Sequence, residues 1–142
     1  MHQRISQVLG VPIGAEIGET ESMKSERPGH DIHGLPTDAA ARKAIPICTG
    51  VLDYFPDALL AVAELSRIGN DQHNPGQPLF WNRAKSGDEG DALLRHFVDR
   101  GTIDSDNVRH STKVAWRALA LLQKELEEAN GLPLPRGARA SG

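Results

Sequence analysis

From Val108 to the Asn130-Gly131 pair, the chain places Val108, Ala115, Leu119, Leu122 and Leu126 at helical core spacing and then meets a helix-stop signal. An apolar stripe sustained over about six turns must be covered by something, and the composition says by what. Hydrophobic residues make up 39% of the chain but aromatic residues only 4%, so the core is Leu, Ala, Val and Ile, which suits packed helices better than a sheet sandwich. At 142 residues there is room for one domain with a moderate core. The predicted fold class is all-α.

Two more long helices follow from the pattern. One begins near Pro56, with Phe55, Leu59 and Val62 on one side and Ala58, Ala61, Leu65 and Ile68 adjoining as a broad buried stripe; Gly69 and Asn70 read as its stop. The other covers about Asp88 to Arg100. A short helix over Thr37–Lys43 is ended by the extended geometry that Pro46 imposes on Ile45, ahead of a turn at Thr49-Gly50. Residues 1–36 are rich in Gly, Pro, Ser and Glu without periodicity and are expected to form an irregular N-terminal arm. Residues 37–131 form the helical domain, and 132–142, LPLPRGARASG, a flexible C-terminal tail or strap.

Charge and cysteine usage exclude several classes. A net charge of -3 without any Lys/Arg block argues against a nucleic-acid polymer as partner, though not against a single nucleotide. Cys48 is the only cysteine, so neither an intrachain disulfide nor a cysteine zinc site is expected. The longest apolar run, Ala58–Ala63, is far short of the roughly 20 residues a bilayer requires, and no basic segment followed by an apolar stretch opens the chain. A cytoplasmic protein without membrane contact is expected.

The chemistry concentrates between Gly69 and His96. In KSGDEGDALLRH (Lys85–His96), Asp88, Asp91 and Arg95 fall within one narrow helical arc, while Leu93, Leu94, Phe97 and Val98 fall toward the other side. Ser86 and Glu89 have capping-box spacing, which puts the carboxylates in the first turn, a setting that suits hard divalent cations. The preceding loop, GNDQHNPGQPLFWNRAK, holds two prolines, the Phe80-Trp81 pair and the cations Arg83 and Lys85; long loops this dense in polar groups commonly bind something. On the third helix, His110, Lys113 and Arg117 recur as a positive stripe, whereas Lys124, Glu127 and Glu128 read as a solvated face.

Four strings, RKAIPICTGVLDYFPDALLAVAELS, GNDQHNPGQPLFW, KSGDEGDALLRH and VRHSTKVAWRALALLQKELE, resemble in order and spacing the phage dATP/dGTP diphosphohydrolase relatives of MazG-like nucleotide pyrophosphohydrolases. The match covers roughly Arg42 to Glu128. The resemblance implies a MazG-like helical bundle completed by oligomerisation, as a homodimer or dimer of dimers. It also implies Mg2+- or Mn2+-dependent hydrolysis of a purine nucleoside triphosphate to the monophosphate and pyrophosphate, and the amides and acids of the loop before Ser86, able to accept from a guanine edge, favour dGTP or GTP over dATP. In a phage-encoded chain the compartment is the host cytoplasm.

Asp88-x-x-Asp91 is similar to the second metal-binding element of that family. The first element, Glu-Glu-x-x-Glu there, is reduced here to Glu64, with Asp57 near the helix start and Asp71 past its end. Glu64 and Asp71 share a face if the helix persists through Gly69. The resemblance therefore makes Glu64, Asp88 and Asp91 the catalytic metal carboxylates, with Asp71 a fourth ligand. Asn70, His73 and Asn74 become neutral ligands or phosphate donors, and Arg83, Lys85, Arg95 and Lys113 phosphate clamps. His73, His96 and His110 orient water or phosphate, and Trp81 or Phe80 stacks on the base, with Asn70, Gln72, Asn74 or Asn82 reading its edge. Two other readings stand beside this one. A helical module that binds nucleotide or a partner without turnover fits the reduced acid set, and His30-Asp31 suggests an HD-type phosphohydrolase but lacks a helical setting.

Overall fold

The computed structural model describes residues 29–31 and 34–142, so most of the arm expected at residues 1–36 lies outside the described residues. Within them the chain is mostly helical, in keeping with the all-α expectation. The described residues form four α-helices: α1 (Ala39–Lys43), α2 (Pro56–His73), α3 (Glu89–Val98) and α4 (His110–Asn130). Two short strands, β1 (Trp81–Asn82) and β2 (Ala138–Arg139), pair in parallel with Trp81 opposite Ala138.

Local chemistry sets the helix ends. Asp38 caps α1, its carboxylate accepting from the Ala41 amide at 2.8 Å. In place of a simple turn at Thr49-Gly50, the chain makes a π-helical turn over Cys48–Leu52; a Cβ on Gly50 would stand 3.0 Å from Pro46 Cγ, a tight approach that glycine relieves. Gly69 does not stop α2. A glycine inside a helix costs about 1 kcal/mol relative to alanine but ends the helix only by turning left-handed, and α2 continues to His73 before Asn74, Pro75 and Gly76 (φ 74°) break it. Gly131 does turn left-handed, with φ 59°, and closes α4 as its sequence predicts. The Ser86–Glu89 spacing brings the two side chains into contact, but Asp88 occupies the N-cap of α3, so the pair is not a capping box.

The larger correction concerns which faces point inward. α3 packs most closely on α4, with α2 also against α4. On α4 the buried residues are Ala120 and Glu127, and His110, Lys113, Arg117, Gln123 and Lys124 are half-buried beside them, whereas Leu119 and Leu122 are about half exposed. On α3 the inward residues are Glu89, Ala92, Leu93 and His96, while Leu94 is 61% exposed and Phe97 and Val98 also face out. On α2 most of the predicted stripe does turn inward, with Leu59, Ala61, Val62, Leu65 and Ile68 half-buried and only Phe55 and Ala58 at its start exposed. Buried apolar residues among those described are Phe80, Ala92, Val108 and Ala120 only. Small residues on α3 and α4 permit close approach, and the interior around them is polar: Asn70, Asn74, Asn82, Ser86, Glu89 and Glu127 are all buried.

The C-terminal segment acts as the strap and not as a loose end. Trp81 N donates to Gly137 O at 2.8 Å, and the Arg139 guanidinium lies 4.4 Å from the Phe80 ring centroid. Among the described residues no single helix is long and apolar enough to cross a membrane.

Candidate functional site

A cavity of about 410 Å³ opens between α2, the loop before α3 and the first half of α4. Its α2 wall is Leu65, Ser66, Gly69, Asn70, Gln72 and His73, where the absence of a side chain at Gly69 leaves space; Leu79, Phe80, Trp81 and Asn82 supply the loop wall. His96 of α3 and Lys113, Trp116 and Arg117 of α4 close the other side. Trp81 and Trp116 meet edge to face, centroids 5.7 Å apart and planes at 76°, and Trp116 Nε1 donates to Ser66 Oγ at 3.0 Å, tying α4 to α2. Among the described residues, Trp81 Nε1 is the buried side-chain polar atom with no hydrogen-bond partner.

Three polar assemblies hold these walls in place. The first is a run of amides: Asn70 Nδ2 donates to Gln77 O at 3.0 Å, Asn74 Nδ2 to Asn70 Oδ1 at 3.2 Å, and Asn82 Nδ2 to Asn74 Oδ1 at 3.3 Å. Asn82 Oδ1 in turn accepts from Ala84 N at 3.1 Å, so the loop folds on side-chain amides where a sheet would use backbone. The second is a bidentate pair, Arg83 Nη1 and Nη2 to Glu127 Oε1 and Oε2 at 3.0 and 2.6 Å, with the guanidinium 4.3 Å from the Trp81 ring centroid. Arg83's hydrogen bonds outweigh burial and hold the Glu127 carboxyl below its ordinary range. The third centres on Glu89, which accepts from Lys124 Nζ at 2.6 Å and from the Ser86 hydroxyl, with Arg117 Nη1 at 3.4 Å. Burial pushes Glu89 up, but the Lys124 and Ser86 hydrogen bonds and the Lys124 charge together leave it below its ordinary value.

At one end of the cavity the connection between α3 and α4 folds back on itself, with Asp104 N donating to Val108 O at 2.8 Å and Asn107 in the left-handed region at φ 62°. This turn brings Asp104 and Asp106 to Lys113, whose ammonium donates to both carboxylates at 2.7 Å. Beside them, His96 Nδ1 and His110 Nδ1 stand 2.9 Å apart. The Lys113 hydrogen bond keeps the Asp104 carboxyl well below the usual range, while burial and the nearby Lys113 charge push His96 down.

Of the residues singled out in the sequence, Asn70, His73, Asn74, Trp81, Lys85, His96 and Lys113 line this cavity, and His110 contacts it through His96. Several are already engaged. Asn70 and Asn74 belong to the amide run, the Lys85 ammonium donates to His73 O, and Lys113 holds two acids. Arg83 is buried on Glu127 and is not an open clamp, and Arg95 is exposed, bonded to Asp88 at 2.6 Å away from the cavity lining.

The proposed metal carboxylates are not brought together. α2 does persist through Gly69, and Glu64 and Asp71 do share a face, but it is an exposed one on which Arg67 binds both, at 2.5 and 2.9 Å. The Arg67 hydrogen bond lowers the Glu64 carboxyl, as Arg95 lowers that of Asp88. Asp91 is exposed in the first turn of α3. Among the described residues, the group of three whose ligand atoms lie within 4.8 Å of one another is His96, Asp104 and His110; it contains none of Glu64, Asp71, Asp88 or Asp91, nor His30.

Glu89, Glu127, Lys124 and Trp116 were not legible as interior residues. Lys124 and Glu127 read as a solvated face because charged residues usually are, yet they continue the spacing of His110, Lys113, Arg117 and Ala120. That continuity was the available signal. Compared with protein-family models, curated proteins and solved structures, the chain finds no match in any of the three.

Proposed function

We propose that the cavity binds a purine nucleoside triphosphate, dGTP or GTP in preference to dATP, and that the chain hydrolyses it to the monophosphate and pyrophosphate by water attack at the α-phosphorus. The observation that carries the binding half is the cavity itself. Its volume of about 410 Å³ lies in the range of small-ligand sites, and it offers aromatic surface at Phe80, Trp81 and Trp116 with cations at Lys85, Lys113 and Arg117, whose present contacts to His73 O, to Asp104 and Asp106, and to Glu89 a polyphosphate would replace. A flat base suits the first and a polyphosphate the second. The hydrolytic half rests on the resemblance of the four strings to MazG-like pyrophosphohydrolases, with Mg2+ or Mn2+ as the hard ion that carboxylates prefer.

Within one chain the carboxylates do not fit that ion. Glu64, Asp71 and Asp88 are each bonded to arginine, and no step through a metal follows from their arrangement. This observation favours a second reading, nucleotide binding without turnover. Incubating the protein with dGTP, GTP, dATP and dCTP in the presence of Mn2+ or Mg2+, and measuring pyrophosphate release, separates the two. The hydrolase reading expects purine turnover that a chelator abolishes and that Asp88→Ala or Asp91→Ala lowers about a hundredfold, the scale seen when a metal site is disturbed. Binding without pyrophosphate release establishes the second reading, and a pyrimidine preference discards the purine assignment.

The outward apolar faces of α2, α3 and α4 support self-assembly as a homodimer or dimer of dimers. Leu60, Leu94 and Val98 are each more than 60% exposed in the single chain, a pattern that a partner surface would cover. Light scattering is expected to give two or four times the 15.4 kDa chain mass. A stable monomer at micromolar concentration overturns this assembly.

A further inference from the structure

We propose that His96, Asp104 and His110 form a site for one borderline divalent transition metal, of the zinc, cobalt or nickel class, at the edge of the cavity. This site is separate from the carboxylate set of the proposed hydrolase, and it stands whether or not nucleotide is turned over.

The two facing imidazole nitrogens are the starting point. His96 Nδ1 and His110 Nδ1 are 2.9 Å apart with the rings tilted by 38°, so one Nδ1–H donates to the other, and loss of that proton leaves two lone pairs turned toward one space. A divalent ion competes with the proton of that hydrogen bond for the two nitrogens, as metal binding to imidazole generally does. Two nitrogens bound to one metal at about 2.05 Å each are separated by about 2.9 Å at the ~90° angle of an octahedral ion and by about 3.3 Å at the tetrahedral angle of zinc, so the rings need shift by only a few tenths of an ångström. Asp104 supplies the third ligand and the compensating negative charge: one ring nitrogen of each histidine and one of its carboxylate oxygens lie within 4.8 Å of one another.

The backbone fixes all three positions. His96 projects from α3, His110 is the first residue of α4, and the Asp104–Val108 turn with left-handed Asn107 returns the acid to them. His96 also lines the cavity, so the coordination positions that three protein ligands leave over are open to a ligand there. Two imidazoles and one carboxylate select zinc-like ions over magnesium, which takes oxygen ligands.

Lys113 is the competing cation. Its ammonium donates to Asp104 and Asp106 at 2.7 Å and places a positive charge beside the imidazole pair. Metal binding has to displace it from Asp104 or share that carboxylate, so Lys113 weakens the site and biases it toward the metal-free form.

Cobalt is the probe that tests this, because its visible absorption reports ligand type. Untagged full-length protein titrated with Co2+ is expected to develop d–d bands that saturate at one ion per chain and persist in millimolar Mg2+. His96→Ala, His110→Ala and Asp104→Asn are each expected to weaken binding by tenfold or more, roughly the scale of a disturbed metal site, and Lys113→Met to tighten it. His30→Ala, outside both the cavity lining and this group of three, serves as the imidazole control. X-ray absorption on the cobalt-loaded wild-type protein needs no variant and is expected to report two imidazole ligands. An all-oxygen shell, or one-per-chain binding that survives both histidine substitutions, overturns the proposal. Weaker binding in Lys113→Met overturns the role given to that lysine.

Discussion

Glu127→Ala is expected to destabilise the protein by about 3–5 kcal/mol, the cost of leaving one member of a buried ion pair without its partner. Arg83 and Glu127 are 14% and 9% exposed, their contact is bidentate, and Gln123 Nε2 donates a further bond to Glu127 Oε1 at 3.0 Å. Removing the carboxylate strands a guanidinium that cannot deprotonate, between the Trp81 ring and α4. The loss should fall on the loop carrying Trp81, and both tryptophans of the chain line the cavity, so urea unfolding followed by tryptophan fluorescence reads it directly. The double replacement Arg83→Met with Glu127→Leu is expected to recover most of the loss, because it removes the desolvated charge altogether. A change below about 1 kcal/mol in Glu127→Ala would mean that the pair behaves as a surface salt bridge.

This pair also explains why the helices and the inward face of α2 were legible in the sequence while the orientation of α4 was not. Period, proline and glycine signals locate α1 to α4, and the left-handed Gly131 and the Asp38 cap follow from residue type alone. Choosing the inward face from apolarity gives Leu119, Leu122 and Leu126 on α4, whereas the chain buries Ala120 and Glu127 instead. A monomer-based rule fails there because the polar stripe is satisfied internally, by Arg83, Gln123 and the Glu89–Lys124 pair, which leaves the leucines on the outside. The same inversion affects the site. Asp88, Asp91 and Arg95 do share an arc of α3, as their spacing requires, but that arc faces solvent, and the acid turned inward is the neighbouring Glu89. One-residue offsets of this kind depend on long-range partners such as Lys124, 35 residues away, which periodicity does not encode.

Glu89 makes the protein acid-sensitive in a way that Glu89→Gln is expected to remove. Its folded-state pKa lies below the ordinary carboxylate value of 4.5, so its contribution is fully present above that value and is lost as pH falls through the folded-state value. In that window the native state holds the proton off while the unfolded chain takes it up, and each such group steepens the decline by up to about 1.4 kcal/mol per pH unit. Glu127, Asp88, Asp104 and Asp106 are lowered too, so the total slope belongs to several acids, and comparison with the variant isolates one. At neutral pH, Glu89→Gln should cost about 1–3 kcal/mol, because Lys124 and Arg117 keep an amide acceptor but lose their counter-charge. Below pH 4.5 the gap between variant and wild type should narrow steadily. Urea midpoints taken between pH 7 and pH 3 measure this convergence, and a gap that stays constant across the range would show that Glu89 does not titrate between the folded and unfolded states.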